Sequence, residues 1–193
     1  MEKGQDGDCV VTFKKPQTRE DWQRIKGLYR AAFPKEERKL WWFLRYQYWK
    51  QTADIWLLSE KNEFIGLAIT VNSADMVLLD YFAIAEEKRC LGYGGGVLQQ
   101  LQQLYREKRF FLEIEKVPEG AAEITEQERR KNFYLLHGMT ELGIDVRLFG
   151  VDMELLGYQC QVSFEEYQRM YVQLYGGLAK RCVLLQTVAQ RMK

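Results

Sequence analysis

One stretch constrains this chain more than any other: Phe82-Ala-Ile-Ala-Glu-Glu-Lys-Arg-Cys-Leu-Gly-Tyr-Gly-Gly-Gly-Val-Leu98. An apolar, strand-like run ends in a charged turn, and a glycine-rich loop, Arg89-x-x-Gly92-x-Gly94, then opens an amphipathic helix. A chain that passes from strand to helix through such a loop belongs to an α/β architecture. The first N–H groups of the helix have no acceptors within it and stand at the positive end of its dipole, which suits a pyrophosphate. Glycine lets the backbone approach an anion with no Cβ in the way. The competing reading is a tight turn between strand and helix. Neither common phosphate loop fits. No Lys follows the glycines as a Walker loop requires, and the dinucleotide fingerprint lacks its early position and an acidic partner on a second strand.

Composition narrows the class. The chain has 193 residues, enough for one domain with a sizeable core. Its 28 Lys and Arg against 27 Asp and Glu argue against a strongly basic nucleic-acid binder. No apolar run approaches the ~20 residues of a bilayer span. The polar start, Met1-Glu-Lys-Gly-Gln-Asp-Gly-Asp, does not read as a signal peptide. Cys9, Cys90, Cys160 and Cys182 lack metal-ligand or redox spacing, so reduced thiols in a cytoplasmic protein are the simplest expectation, with no metal.

Along the chain, helices and strands alternate. Cys9–Phe13 reads as a first strand. Thr18-Arg-Glu-Asp21 resembles a capping box, and Trp22, Ile25, Leu28, Tyr29 and Ala32 follow at helical spacing up to Pro34. A second helix is expected over Glu36–Gln51. Ile55–Ser59 and Phe64–Val71 form a strand pair around Glu60-Lys-Asn-Glu63. Met76–Ala85 is apolar enough for a central strand. Val97, Leu98, Leu101, Leu104 and Tyr105 line one face of the helix after the loop. Arg109–Val117 alternates as a strand, and Glu123–His137 reads as a helix closed by Gly138. Two strands around a Phe149-Gly150 turn follow. Ser163-Phe-Glu-Glu166 is a capping box by residue type. After Gly176-Gly177 a last helix is expected over Leu178–Met192. The result is one α/β domain with a C-terminal helical extension.

The loop, Arg89-x-x-Gly92-x-Gly94, follows Tyr81-Phe-Ala-Ile84 and precedes Val97-Leu-x-x-Leu101, and it resembles the acetyl-coenzyme A signature of the GNAT acetyltransferases. A second motif lies ~40 residues on. Arg129-Arg-Lys-Asn132-Phe-Tyr134-Leu-Leu-His-Gly138 reproduces that family's Asn, then a Tyr four residues ahead of a Gly. The resemblance covers roughly 9–156 and leaves 157–193 as the extension; Gly96 is a departure from the family pattern. It implies a single domain with a central mixed, mostly antiparallel, twisted sheet flanked by helices.

The resemblance also implies a site. Acetyl-CoA would lie with its pyrophosphate on the backbone of Leu91, Gly92, Tyr93, Gly94, Gly95 and Gly96. Its pantetheine arm would pair with Phe82, Ala83 and Ile84 like an added strand. Arg89 would add charge or serve structure, and Asn132 belongs to the same cofactor side. Tyr134 would donate a proton to the departing thiolate. The competing reading of Tyr134 is an aromatic on the core face of its helix.

The attacking amine must first be neutral, so a base is needed. Asp80 enters the cofactor loop on one strand. Glu113 and Glu115 lie on the next, where period two puts both on one face. Apolar surroundings would raise such a carboxylate's pKa; the alternative is solvated strand-edge charge. His137, the lone histidine, sits at a helix C-terminus, where charge is favourable without chemistry. The aromatic segment Leu40–Trp49 reads as core plus an interface, such as a homodimer's, or as a wall for the acceptor. Two functions remain open. One is an acetyl-CoA-dependent N-acetyltransferase acting directly on a primary amine of a small molecule or peptide. The other is a non-catalytic acyl-CoA-binding sensor or interaction module.

Overall fold

The computed structural model describes residues 11–118 and 124–188. Among the described residues, eight strands and five helices follow one another: β1 (Thr12–Lys14), α1 (Arg19–Ala32), α2 (Trp41–Trp49), β2 (Ala53–Glu60), β3 (Glu63–Ser73), β4 (Met76–Ile84), α3 (Tyr93–Leu104), β5 (Arg109–Glu115), α4 (Glu126–Leu136), β6 (Thr140–Leu148), β7 (Val151–Tyr158), α5 (Phe164–Tyr175) and β8 (Val183–Val188). Hydrogen bonding orders the strands β1-β2-β3-β4-β5-β7-β6-β8. The β4–β5 ladder is parallel, whereas β1–β2, β5–β7, β6–β7 and β6–β8 are antiparallel. This is the expected mixed, mostly antiparallel sheet flanked by helices. Among the described residues no helix is long and apolar enough to cross a membrane.

Local chemistry sets many of the boundaries. Thr18 Oγ1 accepts from Asp21 N at 3.1 Å while Asp21 Oδ2 accepts from Thr18 N at 2.9 Å, so the box closes with Asp in place of Glu. The pair Lys61 and Asn62, both with positive φ (47° and 68°), makes the two-residue loop that joins twisted strands β2 and β3. Phe149 and Gly150 do the same between β6 and β7, with φ of 49° and 92°.

By its contacts the chain forms two compact units. One holds the described residues up to Thr70 together with Tyr81–Leu101; the other holds Val71–Asp80 and the described residues from Gln102 onward. The core of the first unit gathers Ile25 and Tyr29 of α1, Leu44 of α2, Ile55 and Leu57 of β2, Leu67 and Ile69 of β3, and Tyr81 of β4. Trp22 meets Trp41 and Tyr48 edge-on at 6.0 and 5.2 Å. The aromatics of α2 thus divide: Trp41 and Tyr48 pack inward, whereas Trp42 and Trp49 are 65% and 71% exposed. In the second unit, Phe110 of β5 stacks on Tyr105 at 6.0 Å, and Phe111 meets Tyr167 of α5 at 6.3 Å. Alternation along β5 therefore sends neighbouring residues to opposite faces, and α5 covers the face of Phe111.

Three expectations are corrected. The second helix begins at Trp41, not Glu36. Tyr81 Oη donates to Glu37 O at 2.8 Å and accepts from Lys39 N at 3.1 Å, and Tyr29 Oη donates to Lys39 O at 3.1 Å. Two tyrosine hydroxyls thus hold 37–39 out of a helix. The helix expected from Glu123 begins at Glu126, because Thr125 is its N-cap and its Oγ1 accepts from Glu128 N at 3.1 Å. The helix expected over Leu178–Met192 is a short 3₁₀ turn, Gly177–Arg181, followed by strand β8. That strand pairs with β6 from Leu148↔Val183 to Ile144↔Val188. The rest of that expected helix, like Cys9 of the first strand, lies outside the described residues.

Candidate active site

The glycine loop lies in the first unit. After β4, a 3₁₀ turn over Glu86–Lys88 brings the chain to Cys90 and Gly92, whose φ values are 61° and 82°. Gly92 therefore needs glycine's conformational freedom, and α3 starts at the next residue. Gly96 N donates to Gly92 O at 3.4 Å. The N–H groups of Tyr93, Gly94 and Gly95 precede the first such bond and stand at the helix's positive end. A Cβ at Gly92 or Gly96 would meet nothing within 4 Å, so there is room for an anion along the loop. Leu91 is exposed beside it. The exposed Arg89 donates from Nε to Ile84 O at 3.2 Å and so ties the loop to the end of β4. Tyr93 is buried and its hydroxyl bonds Glu60. Phe82, Ala83 and Ile84 finish β4, and Ala83 O lies so close to Gly66 of β3 that a Cβ there would come within 2.5 Å.

The second unit holds the titratable candidates. The β4–β5 ladder runs from Met76↔Arg109 to Leu79↔Leu112. Asp80 and Glu113 are the next residues on each strand. By period two Asp80 shares the face of Leu78, and Glu113 that of Leu78's partner Phe111, so the two carboxylates stand on one face of the sheet. Both act electrostatically on Tyr167 and Tyr171 of α5. The Tyr171 hydroxyl donates to Glu113 Oε1 at 2.6 Å. Burial first, and the Glu113 charge second, hold both phenols well above their ordinary range. Glu115, two residues on, instead accepts from Gln127 Nε2 at 3.1 Å.

Tyr134, on α4, is buried, and burial pushes its hydroxyl up to about 12. It is a phenol, not a phenolate, at any working pH. Asn132, two residues earlier, is exposed. His137 Nδ1 lies 2.7 Å from Phe133 O and its ring packs 4.5 Å from Phe133, while its own carbonyl accepts from Gln102 Nε2 at 2.9 Å. These contacts account for the histidine as part of the helix end. Among the described residues, no group of three His, Cys, Asp or Glu is placed to hold a metal ion. Cys90, Cys160 and Cys182 are free thiols.

Tyr167 and Tyr171, the α5 residues that feel the candidate carboxylates Asp80 and Glu113, were not singled out from the sequence. The available signal was the spacing Tyr167-x-x-x-Tyr171-x-x-x-Tyr175, which lines one helical face.

Residues 22–134 match the Acetyltransferase (GNAT) family, more than half of the chain, and the chain belongs to that family. It is an acyltransferase, and its class of reaction is acetyl transfer. No curated protein matches it in sequence. Solved structures share the fold. One is a Bacteroides thetaiotaomicron protein assigned to the GNAT family, with TM-score 0.72 and 19% identity, over 89% of this chain and 98% of that one. Another is the spermidine/spermine N-acetyltransferase SpeG of Vibrio cholerae, in mutant forms, with TM-score 0.57 and 16% identity over 77% and 93%. A third is a GNAT family acetyltransferase from Elizabethkingia anophelis with acetyl-CoA bound, with TM-score 0.52 and 15% identity over 80% and 100%.

Proposed function

We propose that the protein transfers an acetyl group from acetyl-CoA to a primary amine of a small molecule or peptide, by direct attack in a ternary complex. Support for the donor comes from the N–H groups at the start of α3, the open space along the loop, and the acetyl-CoA in the Elizabethkingia neighbour. The pyrophosphate rests on Leu91–Gly96, and the pantetheine arm runs along Phe82–Ile84.

The observation that carries the amine reading is the pair of carboxylates, Asp80 and Glu113, on one face of the sheet. Two adjacent negative charges attract an ammonium group, and one of them takes its proton. The neutral nitrogen forms a bond to the thioester carbonyl carbon. The C–S bond then breaks, and the sulfur leaves with the electron pair. Tyr134 meets that sulfur as a hydrogen-bond donor. A phenol at about 12 does not readily surrender its proton to a thiolate whose reference value is about 8.5, so it stabilises the departing charge. The proton that neutralises the thiolate comes from the acylated nitrogen.

The test is release of free thiol from acetyl-CoA with a panel of amines: a monoamine, a diamine, spermidine, and a peptide with a free N-terminus. Turnover with at least one of them is expected. Acetyl-CoA binding without thiol release for any member removes the amine acceptor.

A further inference from the structure

Helix α5 lies outside residues 22–134, the part of the chain that matches the family, yet its Tyr171 hydroxyl donates to the candidate base Glu113 at 2.6 Å. We propose that Tyr171 is a positioning residue of the acceptor site: its hydroxyl fixes the Glu113 carboxylate beside Asp80, so that the pair receives the amine in one geometry. The inference rests on the amine reading above and assigns α5 a part in it.

Several independent contacts hold α5 against the sheet. Ser163 and Glu166 close a capping box at its start, with bonds of 3.2 and 2.9 Å. Arg109, the first residue of β5, grips Glu166 through two bonds of 2.9 Å and Asp75 through bonds of 2.8 and 3.1 Å. Further along, Ser73 Oγ donates to Gln173 Oε1 at 2.9 Å. Between these ties the Tyr171 ring is packed by Tyr167 at 5.0 Å and Tyr175 at 5.4 Å. A side chain so confined keeps its hydroxyl in place without further loss of rotamer freedom. Its donor is permanent, because burial keeps the phenol protonated.

Among the described residues, Glu113 shares its face of the sheet with Asp80 from β4 and acts on Tyr167 and Tyr171 from α5. Glu115 shares its strand and face, and the opposing residue on β7 is the apolar Leu155. Glu113 therefore stands among two further carboxylates, and Tyr171 donates to it. A hydrogen bond to the ionised carboxylate favours that form against the neighbouring negative charge. The bond does two things: it fixes the direction of the carboxylate, and it keeps the group charged to lower pH.

Tyr171→Phe removes the donor and keeps the packed ring. Losing one hydrogen bond to a charged group moves a carboxylate titration by about one to two pH units. The side-chain carboxyl of Glu113 is followed by carbon NMR in the wild type and in the variant, with no substrate. Its midpoint is expected to rise. The pH profile of kcat/KM is then taken with whichever amine of the panel turns over, and its acid limb is expected to move up with the midpoint; the melting temperature falls at neutral pH through the same lost bond, and that fall shrinks as Glu113 becomes protonated in acid. A carboxyl titration that moves while the profile stays fixed, or a variant that loses stability with an unchanged profile, makes Tyr171 a packing residue and leaves acetyl transfer standing. Wild-type protein silent with every amine overturns the amine reading and the positioning role with it. Tyr167→Phe gives a second arm, expected to shift the profile less because the 2.6 Å bond to Glu113 comes from Tyr171.

Discussion

Tyr134 shows how burial selects one role among those a tyrosine can take. Its hydroxyl is held up to about 12, so in the proposed reaction it serves as a hydrogen-bond donor and not as a base. Tyr134→Phe keeps the ring and the fold. Stopped assays are expected to give a kcat lower by roughly ten- to a thousandfold with little change in acetyl-CoA affinity. An unchanged rate, with chemistry shown to be limiting, would leave the residue as packing. The carboxylates are separable by the same logic. Asp80→Asn and Glu113→Gln each remove charge and basicity but keep shape. The variant that lacks the base should lose activity at neutral pH and regain part of it as pH rises, because more amine is then already neutral. Two unchanged pH profiles would assign the proton to another group. Gln47 of α2 is a different kind of residue. It is buried, and among the described residues neither its Oε1 nor its Nε2 has a hydrogen-bond partner. Gln47→Met removes that cost, and urea unfolding should show a gain of about 1–2 kcal/mol.

Among the elements, the turn from β4 into α3 is where the proposed acetyl-CoA site concentrates its backbone donors. Gly94 sits in the first turn of α3, where the reading brings phosphate oxygens against the backbone. Gly94→Val should weaken CoA binding sharply in a variant that still folds; calorimetry giving wild-type affinity would break the link between loop and phosphate. The end of β4 is placed as tightly. A Cβ at Gly66 would stand 2.5 Å from Ala83 O and 3.1 Å from Ile84 Cδ1. Gly66→Ala must push these strands apart and should cost about 1–3 kcal/mol in denaturant unfolding. It should also lower CoA affinity, because Phe82–Ile84 shift with it.

For the whole molecule, the Asp75–Arg109–Glu166 network links three stretches that are distant in sequence. Hydrogen bonds from Arg109 and from the Ser163 backbone hold Glu166 down at about 2, against an ordinary 4.5. A carboxylate depressed in the folded state contributes stability above its unfolded value, and that contribution is lost as pH falls toward the folded one. The difference in melting temperature between wild type and Glu166→Gln should be steady near neutrality. It should close between about pH 4.5 and pH 2. A difference independent of pH would mean that the ion pair contributes nothing through its charge. The groups are partly exposed, so added salt should shrink the effect.

What the sequence determined by itself had local causes. The capping boxes at Thr18 and Ser163 and the two-residue turns at Lys61-Asn62 and Phe149-Gly150 depend on residues a few positions apart, and they are legible without a fold. So is the glycine loop, because a run of glycines between an apolar strand and an amphipathic helix stands out in the residues themselves. What the tertiary structure alone decided were the partners across the sheet. Val183–Val188 is an apolar run whose pattern suits helix or strand, and it becomes β8 because β6 offers it an edge. Residues 37–39 leave the expected helix because the hydroxyls of Tyr29 and Tyr81 capture their backbone. Asp80 and Glu113 are 33 positions apart, and neither strand alone says that its carboxylate has a neighbour. Register in the β4–β5 ladder puts them on one face, and the packing of α5 brings Tyr171 to them, because a side chain's partners are set by which elements pack together and not by the residues beside it in the chain.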